Sequence, residues 1–304
     1  MSPPRRIDEL SRDDARGIKY VLFDIDDTIT EKGLLPEESY SALWALRRAG
    51  VFTVPVTGRP AGWCDLIARQ WPVSGVVGEN GAFVFYIKDE KLERLFHPAS
   101  PSADSSRERL SQLAAEAIAA VPGLRLAKDQ PYRLFDVALD FAEEPPILPL
   151  ETASRVKKIC EASGARAKVS SIHVNAWFGD YDKLSMSERF LSRVLGWDPV
   201  LSPRQVMFFG DSPNDEPMFR RFELSCGVAN VRRFLGMMEY LPAYITGKPF
   251  GAGFAEACGY ILDSKAEKTE KNAGRALDRG EGTAIVSSSA LGPDGGTETP
   301  GPRQ

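Results

Sequence analysis

The sequence predicts an α/β fold, in which a Rossmann-like parallel sheet forms the core and an α+β cap domain is inserted into it. Two apolar runs, 21–23 and 206–209, each lead into a group of carboxylates, as buried parallel strands do when their carboxyl ends face a ligand. Strand and helix patterns alternate in both halves of the chain, which indicates parallel strands with right-handed crossovers. Between the halves, residues 83–177 mix their elements in another order, which is typical of a separate layer.

The individual elements follow from the periodicity of the apolar residues. In the first half of the core we expect strand 18–24, helix 36–49, strand 51–56, helix 60–70 and strand 73–77. In the second half we expect helix 183–195, strand 205–210, helix 214–222, strand 224–229, helix 231–240 and a last helix near 251–262. In the inserted layer we expect strands near 83–87, 92–96, 124–127, 132–141, 166–170 and 171–177, with helices at 104–121 and 150–163.

The domain organisation follows from these elements. The core is expected to span 15–82 and 178–264, and the inserted cap 83–177. From 265 onward the chain is rich first in Lys and Glu and then in Ser, Gly, Thr and Pro. Such a composition cannot bury enough apolar surface to offset the entropy of ordering. We therefore expect 265–304 to be a disordered tail without a chemical role.

Composition narrows the class of protein. With 304 residues and 43% hydrophobic content, the chain can bury a full core. A net charge of −4 argues against a nucleic-acid surface, which needs a basic excess. The four cysteines are far apart in the sequence, which favours buried reduced thiols and a cytoplasmic location. No apolar run approaches the ~20 residues of a spanning helix, so we expect no membrane contact.

The carboxylates after the two apolar runs indicate a metal site. Asp24, Asp26 and Asp27 follow the first run, and Asp211 and Asp215 follow the second. If both runs are neighbouring strands, these groups meet at one sheet edge and repel one another unless a cation neutralises them. All-oxygen ligation favours a hard ion such as Mg²⁺.

The order of the motifs resembles that of the haloacid dehalogenase-like superfamily, whose first motif is Asp-x-Asp-x-Thr after a strand. The resemblance implies that Asp24 is the nucleophile of phosphoryl transfer and that Asp26 is the general acid and base, with its backbone carbonyl also binding Mg²⁺. The second motif is Thr57, followed by Gly58 and Arg59. By the same resemblance Thr57 donates its hydroxyl to the phosphoryl group, and Arg59 is a substrate-binding residue.

The third and fourth motifs complete the resemblance. Lys183 begins an amphipathic helix, and its ammonium can offset the charges of the nucleophile and the phosphate. Asp211 is implied to bind Mg²⁺ directly, and Asp215 to bind it directly or through water. Asn214, in the same loop, is expected either to shape the loop or to bond to Lys183, and it counts among the substrate-binding candidates.

The insertion resembles the large Cof-like cap, called type IIB, which commonly carries an Asn-Gly-Ala segment at its first linker. Asn80 is the Asn of that segment here. Over 172–177, His173 and Asn175 project to one face of a strand and the residues between them to the other. That face either meets the substrate or is solvated surface. Arg133 and Asp136 likewise either recognise sugar hydroxyls or are solvated.

The sequence thus predicts a Mg²⁺-dependent phosphatase that hydrolyses a sugar phosphate or a similar small phosphomonoester through an aspartyl-phosphate. One alternative is a phosphomutase of the phosphomannomutase kind, which returns the phosphoryl group to its substrate. The other is a phosphate-binding scaffold without turnover, although such a protein has no need of an acid/base beside a nucleophile. The motifs are common to enzymes that act on different phosphate esters, so they do not identify the substrate. They carry no information on the oligomeric state.

Overall fold

The computed structural model describes residues 3–170 and 172–278. The strands are Arg5–Arg6 (β1), Tyr20–Phe23 (β2), Phe52–Pro55 (β3), Val76–Gly78 (β4), Phe83–Lys88 (β5), Lys91–Phe96 (β6), Arg125–Leu126 (β7), Asp136–Asp140 (β8), Arg166–Val169 (β9), His173–Trp177 (β10), Val206–Gly210 (β11), Leu224–Gly227 (β12) and Tyr244–Ile245 (β13). The helices are Arg12–Gly17 (α1), Glu37–Arg48 (α2), Ala61–Gln70 (α3), Ala103–Ala120 (α4), Leu150–Ala162 (α5), Lys183–Arg193 (α6), Glu216–Arg221 (α7) and Phe250–Asp278 (α8).

A six-stranded parallel sheet forms the core, in the order β1-β13-β12-β11-β2-β3. Its central strands β2 and β11 are continuous, buried apolar runs, as is typical where helices cover both faces of a sheet. In the register of β2 and β11, Phe23 lies opposite Phe209. The carboxylates that follow these two strands are therefore brought to the same edge. The predicted fold class, an α/β protein with a parallel sheet core, is confirmed.

The middle of the chain forms a four-stranded antiparallel sheet in the order β7-β8-β10-β9. Val174 and Ala176 of β10 point to the side of this sheet that packs with helices α4 and α5 in a hydrophobic cluster of its own. This is the apolar face predicted for the strand. The opposite face carries His173 and Asn175.

The hairpin of β5 and β6 differs from the rest of the insertion. It pairs with β4 in a three-stranded antiparallel sheet, and Phe83 and Phe85 belong to the hydrophobic cluster of the large sheet. The strand expected over 73–77 is found at Val76–Gly78, and a parallel bridge from Val56 to Val77 joins it to the core. Backbone hydrogen bonds from Thr57 to the carbonyl of Val77 and from Ser74 to the carbonyl of Thr53 support this contact. Left-handed backbone at Glu79 (φ 42°) and Asn80 (φ 56°) then turns β4 into β5. The division of core from cap at 82/83 stays a prediction.

Two other elements differ from the sequence expectations. The helix expected at 231–240 is a 3₁₀ stretch, Ala229–Met237. The last helix, expected to end near 262, continues to Asp278, because its Lys- and Glu-rich extension has high helix propensity. Part of the tail predicted over 265–304 is therefore helical, and residues 279–304 lie outside the described residues. No described helix is long and apolar enough to cross a membrane.

Candidate active site

Lys183 and Asp24 lie at the centre of the candidate site. Asp24 follows β2, and Lys183 is the first residue of α6. Asp182 caps that helix, since its side chain accepts a hydrogen bond from the backbone N–H of Ser185 at 2.7 Å, and this fixes the start of the helix. Nζ of Lys183 donates to Oδ1 of Asp24 at 2.8 Å and to Oδ1 of Asp215 at 3.4 Å. All three side chains are buried.

Three carboxylates come together at the edge formed by β2 and β11. Asp24, Asp211 and Asp215 each offer an oxygen, and these oxygens lie within 4.8 Å of one another. Oδ2 of Asp215 accepts from the backbone N–H of Asp211 at 3.0 Å, which locks the loop after β11. A Cβ at Gly210 would lie 2.5 Å from Oδ2 of Asp215, so the loop requires glycine there. The donor set consists of hard oxygens, and it suits a hard cation such as Mg²⁺.

The electrostatics of this cluster also favour a cation. Burial raises the pKa of Asp24 to about 7, although Lys183 opposes the shift and Asp215 adds to it. Burial likewise raises the pKa of Asp211 well above its ordinary value, and Asp215 and Asp24 add to it. Burial would lower the pKa of Lys183, but Asp24 and Asp215 raise it above its ordinary value. The ammonium alone leaves the cluster under-neutralised, so a divalent ion would allow all the carboxylates to ionise.

Asp26 is held by Arg59. Nη2 of Arg59 donates to Oδ1 of Asp26 at 2.8 Å, and Nε donates to Oδ2 at 3.0 Å. The same guanidinium donates from Nη1 to Oε1 of Glu143 at 3.1 Å and lies over the ring of Trp63, 4.3 Å from its centroid. Glu143 follows β8 in the inserted layer, so Arg59 connects the two parts of the site. The sequence indicated Asp26 and Arg59 separately but not this pairing.

Thr57 and Asn214 lie in the loops that frame the site. Oγ1 of Thr57 accepts from the backbone N–H of Arg59 at 3.0 Å, and its hydroxyl hydrogen stays free to donate elsewhere. Oδ1 of Asn214 accepts from the hydroxyl of Ser212 at 2.8 Å. Of the two roles considered for Asn214, the structure shows the loop contact.

The polar face of β10 is buried over the site. His173 is 3% exposed and Asn175 is 4% exposed, so the solvated-surface alternative for this face was wrong. Nε2 of His173 lies 2.8 Å from Oε2 of Glu143. This hydrogen bond is the largest cause that lowers the pKa of Glu143 to about 2, and the charge of Arg59 lowers it further. Nδ2 of Asn175 donates to Oδ2 of Asp136 at 3.0 Å.

Asn80 and Arg133 join the first linker to the inserted layer. Nδ2 of Asn80 donates to Oδ2 of Asp136 at 3.3 Å. Nη1 of Arg133 donates to Oδ1 of Asp136 and to the carbonyl of Gly58, at 2.9 and 2.8 Å. Both Arg133 and Asp136 are buried, so solvation was also the wrong explanation for them. The charges pair with each other because a buried ion without a partner is costly.

Glu79 is a structural residue that sequence reasoning missed. Its carboxylate accepts from the backbone N–H groups of Ala61, Leu134, Phe135 and Asp136 at 2.9, 2.9, 2.5 and 3.2 Å. It therefore holds the start of α3 and the approach to β8 together. Burial raises its pKa to about 8, and the neighbouring Asp136 adds to the shift. The sequence signal for Glu79 was weak: it is an acidic residue that follows the apolar pair Val76 and Val77 after one glycine. We treated this segment only as the linker that contains Asn80.

Two further residues at the site, Glu143 and Lys168, carried no sequence signal. Each lies in a stretch that reads as ordinary charged surface. Lys168 is on β9, and it lines the pocket together with Asp24 and His173. The space left within this pocket is about 20 Å³, which is room for about one water molecule.

Comparisons with known proteins show what the chain is similar to. Residues 21–104 match the sequence profile of the family described as haloacid dehalogenase-like hydrolase. A phosphoglycolate phosphatase from Pyrobaculum neutrophilum is 29% identical over 253 residues, which cover 82% of this chain and 98% of the relative. The profile match includes the first two motifs, with Asp24, Asp26 and Thr57.

Solved structures share the fold over most of the chain. A HAD/Cof-like hydrolase from Plasmodium vivax has a TM-score of 0.60 at 16% identity, with 84% of this chain and 99% of that chain covered. The sucrose-phosphatase from Synechocystis, solved with sucrose and phosphate, has a TM-score of 0.55 at 14% identity, with 81% and 98% covered. From its family profile over residues 21–104, its motifs and its fold, the chain is similar to the haloacid dehalogenase-like hydrolases.

Proposed function

We propose that this protein is a Mg²⁺-dependent phosphatase that hydrolyses a small phosphomonoester through an aspartyl-phosphate on Asp24. The observation that carries the proposal is the contact of Lys183 with Asp24 at 2.8 Å, beside Asp211 and Asp215. A nucleophilic carboxylate must approach an anionic phosphoryl group, and a buried ammonium at this point offsets both charges. If Lys183 and Asp24 formed an ion pair that only stabilised the fold, the two further carboxylates of Asp211 and Asp215 would not be needed beside them.

The proposed reaction has two steps. First, an oxygen of Asp24 attacks the phosphorus atom, the ester P–O bond breaks, and Asp26 gives its proton to the leaving oxygen. Second, Asp26 takes a proton from a water molecule whose oxygen attacks the same phosphorus atom. The bond to Asp24 then breaks, which releases inorganic phosphate. Thr57 and Lys183 hold the phosphoryl oxygens in line throughout.

Arg59 controls when Asp26 can act. A carboxylate that accepts two hydrogen bonds from one guanidinium, at 2.8 and 3.0 Å, offers no proton to a leaving group. Asp26 must therefore separate from Arg59 before it can act on the leaving oxygen. Glu143 already shares the guanidinium at 3.1 Å, so Arg59 has a second partner to hold it when Asp26 is released.

The residues of the site fit Mg²⁺. Asp24, Asp211 and Asp215 would hold the ion, together with the backbone carbonyl of Asp26. When bound, it supplies positive charge that screens the nucleophile from the phosphate and polarises the phosphoryl oxygens.

We also propose that the insertion over 83–177 is a cap that opens to admit substrate. The pocket holds about 20 Å³ in this conformation, which is far less than a phosphoryl group and its leaving group need. The hydrogen bonds that close it, such as Arg133 to the carbonyl of Gly58, join the cap to the core, so they must break or shift during entry.

The substrate class we propose is a sugar phosphate or a similar small metabolite ester. It is supported by the named activities of the relatives, which act on phosphoglycolate and sucrose phosphate. All four cysteines are buried free thiols, which supports the proposed cytoplasmic location.

A panel of phosphate esters assayed for free phosphate with Mg²⁺ at neutral pH tests the function. We expect release of phosphate from several small esters. Transfer of the phosphoryl group to a second position of a sugar, without release, would instead identify a mutase. Absence of turnover on the whole panel would leave the scaffold alternative.

A further inference from the structure

Lys168 differs from the other cationic side chains that line the catalytic pocket. Arg59 binds Asp26 and Glu143, and Arg133 binds Asp136. Within the described residues, Lys168 has no hydrogen bond or ion pair of this kind, although it is partly buried. The pocket therefore contains one cation whose partner is not a nearby side chain.

The position of Lys168 is set by the pairing of β9 with β10. Lys168 lies opposite Asn175 in this antiparallel pair, and opposite residues project to the same face of a sheet. Lys168 therefore belongs to the buried face that covers Asp24. It also lines a neighbouring cavity of about 210 Å³, which Asn80, Lys183 and Asn214 share. Lys168 thus lies where the catalytic pocket meets the space available to a leaving group.

The charges around Lys168 leave it short of a counter-ion. Burial lowers its pKa, and Lys157 and Lys183 lower it further, whereas Asp182 and Glu216 act in the opposite direction. Asp182 is engaged with its own helix through Ser185. A partly buried ammonium without a close partner is costly, and an anion in the pocket would remove that cost.

Two considerations identify that anion. The transferred phosphoryl group lies at Asp24, where Lys183 already provides the ammonium at 2.8 Å. Lys168 lies on β9 of the four-stranded sheet instead, and it also lines the 210 Å³ cavity beside the catalytic pocket. A single ammonium balances one negative charge, which matches a carboxylate better than a doubly charged second phosphoryl group.

We propose that Lys168 binds a carboxylate on the leaving group, so that the substrates of this enzyme are phosphate esters of hydroxy acids. The inference rests on the proposed phosphatase function and makes its substrate class narrower. Lys168 is then a specificity residue, because it contacts only the part of the substrate that varies while the core residues contact the phosphoryl group.

Matched substrate pairs test the inference. 3-Phosphoglycerate and glycerol 3-phosphate differ only in a carboxylate against a hydroxymethyl group, and so do 2-phosphoglycolate and 2-hydroxyethyl phosphate. We expect the wild type to show the higher kcat/KM on the acid of each pair. In Lys168→Met, kcat/KM for the acids should fall on the order of 10- to 100-fold, the range expected for one charge-assisted hydrogen bond. The values for the alcohols should not change.

Two further variants separate specificity from folding. Lys168→Arg keeps the charge and should retain most of the preference for acids. Lys158→Met removes a charge from an exposed position of α5 that lines neither the catalytic pocket nor the 210 Å³ cavity, so it should leave the acid-to-alcohol ratio unchanged. Thermal unfolding of each variant reports any general loss of structure, which would lower activity on both members of a pair.

The outcomes are distinct. A wild type without preference for acids, or equal losses on acids and alcohols in Lys168→Met, would overturn the inference and leave the phosphatase function standing. Absence of phosphate release from all four esters and from p-nitrophenyl phosphate would overturn the phosphatase function itself, and the inference with it.

Discussion

Nζ of Lys183 lies 2.8 Å from Oδ1 of Asp24, although 159 positions separate the two residues in the chain. The contact exists because β2 ends at the carboxyl edge of the sheet and α6 begins beside it. Both groups are buried, so their charges act on each other without much screening by water. This pair is the basis of the first prediction.

Asp24→Asn should abolish turnover while the fold stays intact. The amide has nearly the shape of the carboxylate but cannot serve as an anionic nucleophile. We expect a loss of at least ~10³-fold in kcat, or about 4 kcal/mol of barrier. Phosphate release is the measurement, and circular dichroism controls for folding. A variant that keeps more than a small fraction of the activity would show that Asp24 is not the nucleophile.

Removal of divalent metal should stop the reaction, and Mg²⁺ should restore it. Asp24 and Asp211 each have a pKa raised by burial and by the neighbouring carboxylates, so the ionised cluster needs a cation. Calcium should inhibit, because its larger and irregular coordination shell moves the nucleophile out of line. The assay is phosphate release after chelation with EDTA, with and without added metal. Full activity in the chelated sample would contradict the site.

Glu79→Gln should destabilise the protein by about 1–3 kcal/mol, the cost of an unsatisfied buried donor. Both carboxylate oxygens accept backbone N–H groups, including those of Ala61 and Phe135, and an amide must turn its NH₂ group towards one of them. Urea unfolding measures the change. Glu93→Gln, on the exposed face of β6, is the matched control and should have little effect. Equal stability of the two variants would mean that the Glu79 contacts contribute nothing net.

Glu143 should make stability sensitive to acid. His173, and then Arg59, lower the pKa of Glu143 from 4.5 to about 2. A carboxyl whose pKa is lower in the folded state stabilises the protein above its unfolded pKa, and it loses this contribution as the pH falls through the folded value. Between pH 4.5 and about 2, the wild type should therefore lose more stability than Glu143→Gln. Urea midpoints across this range measure the difference, and parallel curves for the two proteins would refute it.

The sequence alone was sufficient for the strands β2, β3, β11 and β12 of the large sheet and for the residues at its edge, whereas the short strands β1 and β13 were not expected. A short apolar run such as 206–209 is typical of an interior strand of a parallel sheet. A carboxylate that directly follows such a strand lies at the carboxyl edge of the sheet, where ligands bind. The capped start of α6 is equally local, since Asp182 and Ser185 are three residues apart. These signals depend on neighbours in the chain, so they can be read without the fold.

The sequence expectations were incomplete or wrong where a strand or a charged side chain contacts a residue that is far away in the chain. The strand expected over 73–77 was expected only as a core strand, but it also pairs with β5, because the left-handed turn at Glu79 and Asn80 reverses the chain. Arg133 and Asp136 were expected either to recognise sugar hydroxyls or to be solvated, yet each has the other as its buried counter-charge. A charged residue in a strand can be solvated, or it can be buried beside an opposite charge, and the sequence pattern is the same in both cases.

The sequence by itself determined the fold class, the acidic edge and the nucleophile candidate, because apolar periodicity and the motifs fix which groups lie at strand ends. Only the tertiary structure decided how the cap meets that edge. It paired Arg59 with both Asp26 and Glu143 and assigned the carboxylate of Glu79 to backbone N–H groups. Among the residues that the structure describes, it left Lys168 without an ion pair. These contacts arise from packing between segments that are far apart in the chain. The local sequence around a charged residue does not determine which oppositely charged residue will lie beside it in the fold.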